Sequence, residues 1–178
     1  MTAIKTRIAL PLLRQWGAKT EILEPRDEHV VEYLDAPPDD QSAAALDFLR
    51  LHESEIAPRL AEAIFRHYRQ CFVDPVSEED WRAMKPEHQT DADWSITRTL
   101  ANLYRSLVSE DDPPLESPDD VRDHCVLAGL YAPPPPDDGR RRLVLVFAAD
   151  WDGGEHELCV RMLDGTIEDI GGDEVVTQ

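Results

Sequence analysis

The dipeptide Asp164-Gly165 constrains this chain more than any other feature. It lies between Leu158-Cys159-Val160-Arg161-Met162-Leu163 and Thr166-Ile167-Glu168-Asp169-Ile170, two runs that read as strands. Asp-Gly tolerates positive φ at both positions, and a two-residue loop of that kind closes a β-hairpin whose twist matches its strands. An antiparallel pair is therefore expected over 158–170. Arg142-Leu143-Val144-Leu145-Val146-Phe147, rich in β-branched and apolar residues, predicts a further strand before it. Gly171-Gly172 ends the sheet.

Upstream the apolar period changes. Ile56, Leu60, Ile64, Tyr68 and Phe72 recur every four residues, with Phe65 beside them, which is one face of a helix. Ser54 reads as its cap, and Pro58 falls in its first turns, where a missing N–H is tolerated. Ser42 reads as the cap of a preceding helix carrying Leu46, Phe48 and Leu49. Ser77-Glu78-Glu79-Asp80 resembles a capping box for a short helix through Trp81 and Met84, stopped by Pro86. Ile96, Leu100, Leu103 and Leu107 place another helix over 94–108.

The first third reads as strands. Thr6-Arg7-Ile8-Ala9-Leu10 alternates, Gly17 offers a turn, and Thr20-Glu21-Ile22-Leu23 is positioned to pair back. Pro11 marks an edge position or a bend. Val30-Val31-Glu32-Tyr33-Leu34 and the stretch 126–132 are further candidates. Strands at both ends with helices between them give an α+β fold. The expectation is one domain over 1–178, an antiparallel sheet built from N-terminal and C-terminal strands and packed with three to four central helices. At 178 residues such a domain buries enough surface to need no disulfide or metal staple.

Charge narrows the function. Asp and Glu number 37 against 18 Lys and Arg, a net −19. That field repels nucleic-acid phosphates and anionic membranes and attracts basic proteins. No nucleic-acid or membrane partner is expected. Cys71, Cys125 and Cys159 are odd in number and form no C-x-x-C pair, so three thiols in a reducing, cytoplasmic setting are expected. No apolar run is long enough for a signal peptide or a membrane span.

The densest polar cluster is Asp150-Trp151-Asp152-Gly153-Gly154-Glu155-His156. Its carboxylates suit Ca²⁺ or Mg²⁺ and its imidazole suits Zn²⁺. The glycine and the distal glutamate are not at calcium-loop positions, however, and between two strands the cluster reads as a turn with Trp151 packed on the sheet. His124 and Cys125, being adjacent, make a poor nucleophile–base pair. Cys71 reads as core and His67 as a solvated helix face. The stretch 110–123 carries seven acids and three prolines, and so reads as an exposed loop with one helical turn begun by Ser117-Pro118. Arg140-Arg141-Arg142 is the one basic run, and pairing with nearby carboxylates is its expected role. No phosphate loop, nucleophile elbow or H-E-x-x-H helix occurs. No catalytic residue, metal site or cofactor is assigned.

Val144 to Phe147, Trp151-Asp152, Glu155-His156, Leu158-Cys159-Val160 and Ile170-Gly171-Gly172 together resemble a bacterial family of unknown function. Its C-terminal signature is a strand, Trp-Asp-x-Glu-His-Gly, a second strand and a Val/Ile-Gly ending. Here one residue is added within the motif and Glu157 replaces its glycine. His67-Tyr68 resembles the end of that family's central helix, and the segment 42–49 its preceding helix. The resemblance implies a small cytoplasmic α+β protein, related to toxin-neighbour or immunity-type members.

The expected function is a protein-binding module, an immunity-type inhibitor that binds and neutralises a basic toxin domain. Its interface candidates are Glu110, Asp111, Asp112, Asp119, Asp120, Asp150, Asp152 and Glu155. The alternatives are a metal-assisted hydrolase using Asp150, Asp152, Glu155 and His156, and a non-catalytic scaffold.

Overall fold

The computed structural model describes residues 5–20, 23–24, 26–33, 38–73, 115–134, 139–152, 157–172 and 174–177. The helices expected over Ser77 to Met84 and over 94–108 lie outside them. So do interface candidates Glu110, Asp111, Asp112 and Glu155, and the side chain of Asp152.

The elements are β1 (Lys5–Ile8), β2 (His29–Tyr33), α1 (Asp40–Leu51), α2 (Glu53–Tyr68), α3 (Pro118–His124), β3 (Cys125–Ala132), β4 (Arg142–Ala149), β5 (Leu158–Leu163), β6 (Thr166–Gly171) and α4 (Glu174–Thr177). The six strands form one sheet in chain order. Neighbours are antiparallel except β2 and β3, which run parallel. A parallel pair needs a long crossover, and this one carries α1, α2 and α3. The fold is α+β, as expected, with that one parallel pair added.

β1 pairs with β2, Lys5 opposite Glu32 and Ile8 opposite His29. The strand expected from Thr20 to Leu23 rests on residues 21–22, which lie outside the described residues. Just before it, the Gly17 N–H donates to the Arg122 carbonyl at 2.6 Å and the Lys19 N–H to that of Asp123 at 2.9 Å, which ties the expected turn to the end of α3.

Both predicted caps also move. Asp39 caps α1, its carboxylate accepting the Ser42 N–H at 2.7 Å, and Ser42 itself is buried inside the first turn. Ser54 lies within α2, which starts at Glu53 directly after His52. The four-residue repeat holds: Ile56, Leu60, Ile64 and Tyr68 are all buried against the sheet core.

The core is two-sided. Leu127, Leu130, Leu145, Phe147 and Val160 face the helices. Val144, Val146 and Cys159 face the other way and are covered by Val175 of α4. Strands buried on both faces read as continuous apolar runs, which is why 142–147 shows no alternation. At the hairpin, Asp164 and Gly165 both take positive φ, 50° and 77°. A Cβ on Gly165 would stand 2.2 Å from Phe48 Cε1, so only glycine fits between the turn and α1.

Candidate functional site

Asp150 opens a short 3₁₀ turn, Asp150–Asp152, at the end of β4. The next residue, Trp151, is buried edge-on to Tyr68, 5.6 Å between ring centres. That packing fixes the turn and aims the Asp150 carboxylate at the junction of α3 and β3. There Oδ2 accepts from His124 Nδ1 at 2.9 Å, and Oδ1 accepts from the Thr20 hydroxyl. A carboxylate only accepts, so the His124 proton sits on Nδ1. Both side chains are largely buried, 15% and 14% exposed. Asp150, an expected interface residue, ties three separate parts of the chain together. Among the described residues no group of three or more His, Cys, Asp or Glu side chains is placed to hold a metal ion.

The acidic stretch resolves into different jobs. Asp120 Oδ2 accepts the Glu116 N–H at 2.9 Å, the Ser117 N–H at 2.8 Å and the Ser117 hydroxyl at 3.0 Å. These bonds close a capping box at the start of α3. The bond from the Glu116 backbone, and then that from the Ser117 hydroxyl, hold the Asp120 carboxyl below its ordinary range. The stretch therefore contains a seven-residue helix rather than a single turn, and Asp120 serves its cap. Asp119 projects outward, 83% exposed, beside Arg122 at 3.1 Å.

Cys71 lies in the π-turn Arg69–Val73 that continues α2. Its Sγ is 3.6 Å from His67 Nε2. Burial pushes the thiol up to about 11, so it is protonated and a poor nucleophile. His67 contacts a thiol rather than only solvent. In the basic run, Arg141 meets the expectation of internal pairing: Nε donates to Asp164 at 3.0 Å, and its guanidinium lies 4.3 Å over the Phe48 ring.

One feature was not foreseen. On the sheet face away from the helices, Val30, Gly129, Tyr131 and Val146 line an open groove of about 320 Å³, together with the charged pair Lys5 and Glu32 and with Arg26 and Glu157. Its residues come from strands far apart in sequence, so no local pattern announces it.

The family model for a domain of unknown function, DUF6985, matches residues 15–177. The chain belongs to the DUF6985 family. The DUF6985 span takes in α1 to α4 and β2 to β6, and β1 lies before it. No curated protein and no solved structure matches the chain. Among the described residues no helix is long and apolar enough to cross a membrane.

Proposed function

We propose that this DUF6985 chain is an acidic protein-binding module of the immunity type, which binds a basic bacterial toxin domain in the cytoplasm and covers its active site. One observation carries the reading. The net charge is −19, and described cations including Lys5, Arg7, Arg14, Lys19, Arg50, Arg122, Arg141 and Arg161 are already in ion pairs with the chain's own carboxylates. The surplus negative field is therefore left to act on something outside. Such a field steers a basic partner toward encounter and raises its association rate.

Asp119 is the described candidate best placed to take part: it is free of capping duty, and its pair with Arg122 is an exposed one that a partner's cation can replace at little cost. Asp120 and Asp150 support the interface indirectly, by fixing α3 and the turn after β4. The test is capture from a lysate of the source cells on the tagged chain, washed from about 50 mM to about 500 mM salt, which shortens the Debye length severalfold. The expected result is one basic protein, retained at low salt and depleted as salt rises. Capture of only acidic proteins, or retention indifferent to salt, contradicts the reading.

A further inference from the structure

His29 is the first residue of β2 and is 1% exposed. Neither ring nitrogen makes a hydrogen bond of ordinary geometry. A buried polar group left unpaired calls for an explanation. The ring lies on the core side of the sheet, the side of Val31 and Tyr33. Its cross-strand partner is Ile8 of β1, and the backbone of Leu127 in β3 approaches it. Among the described residues Arg26 is the charged group that acts on it. Lys5, Arg7 and Glu32 project from the opposite face by the same register.

Among the described residues β1 is the least anchored strand. It is four residues long, lies at the sheet edge and is mostly exposed. Among the described residues, and beyond its backbone ladder, it is held by Ile8, which packs against the core opposite His29, and by the exposed pairs of Lys5 with Glu32 and Arg7 with Glu28. It also lies outside the DUF6985 span. Short exposed elements open at low free energy, so β1 can leave while the rest of the sheet stays closed.

We propose that His29 is an acid-sensitive latch: its protonation releases β1 from the sheet and bares the hydrogen-bonding edge of β2. Burial penalises the imidazolium by more than the Leu127 backbone returns to it, so the charged ring is favoured where β1 no longer covers it. Burial depresses the folded pKa below the ordinary 6.5; the Leu127 backbone opposes this and Arg26 adds to it. The sign follows. The closed state stays neutral while the opened state takes up a proton, so opening is favoured as pH falls below 6.5 toward the folded value. One proton gives a slope of up to about tenfold per pH unit. The bared edge offers unpaired N–H and C=O groups to another strand.

Amide hydrogen exchange on the full chain at about pH 7.5 and about pH 5.5, corrected for intrinsic chemical exchange, tests the latch. Protection at 5–8 and 29–33 is expected to fall by up to about tenfold per pH unit below 6.5, while that of β4 and β5 holds. His29→Leu is expected to remove this pH response. His29→Gln, neutral and polar, is expected to remove it as well and serves if the leucine variant folds poorly. Wild-type protection that does not change with pH, or a response that survives in either variant, overturns the proposal.

Discussion

Glu53 does more for this fold than its surroundings in sequence announce. Its carboxylate is buried and accepts the N–H groups of Leu12 and Leu13, each at 2.8 Å, while sitting in the first turn of α2. The charge is thus met by backbone donors and by the positive end of a helix. Glu53→Ala orphans the buried Leu13 donor and loosens the partly exposed Leu12 one, and a buried orphan costs about 1–3 kcal/mol. A loss of that size in urea denaturation is expected, with Glu53→Gln milder because an amide oxygen still accepts. Nothing local marks Glu53: a glutamate at a helix start is common, and its partners lie 41 and 40 residues earlier. Asp150 was legible as part of a polar turn, yet its partners His124 and Thr20 lie 26 and 130 residues away, beyond any local pattern. Gly165 was fully legible, because Asp-Gly between two strand-like runs has one good solution. Gly165→Ala adds left-handed strain and a clash with Phe48, whose ring is held between His52 and Arg141. A lowered melting temperature is expected.

At the scale of elements, two helices begin on ionised carboxylates. Asp39 caps α1 and Asp120 closes the box of α3, and backbone N–H donors, from Ser42 and Glu116 respectively, hold both carboxyls low. A depressed pKa means stability that is present above the ordinary carboxyl range and is lost as pH falls through the folded value. Each of Asp39→Ala and Asp120→Ala is expected to cost about 1 kcal/mol at neutral pH, and less as pH drops below about 4, read by thermal melts. If α3 borders an interface, Asp119→Asn slows association without changing the melt, whereas Asp120→Asn changes the melt first. The elements themselves were largely readable. The repeat of α2 and the hairpin of β5 and β6 are local signals of period four and two. The caps slipped because Asp39, as good a capping residue as serine, stands three residues before Ser42, and because α2 starts directly after His52 without a side-chain cap. The parallel pairing of β2 with β3 was not readable, since it joins segments separated by α1, α2, α3 and the whole stretch between them.

At the scale of the molecule, charge is the dominant variable, and it acts in two opposite senses. A net −19 repels itself within the compact state. Added salt screens that repulsion, so the melting temperature of the free chain is expected to rise between about 20 mM and about 500 mM salt. Over the same range the association rate with a basic partner is expected to fall. A chain whose stability and binding both weaken with salt contradicts this electrostatic account. The net charge was legible from composition alone. Which carboxylates remain free was not, because that depends on which cations the fold brings beside them.

The central claim of the proposed function is that the basic protein expected on capture is harmful and that this chain neutralises it. Growth of cells expressing that protein alone, this chain alone, and both together measures it most directly. The account predicts arrest in the first culture, normal growth in the second, and growth restored in the third. Arrest that persists on co-expression, although the two proteins form a complex, contradicts it.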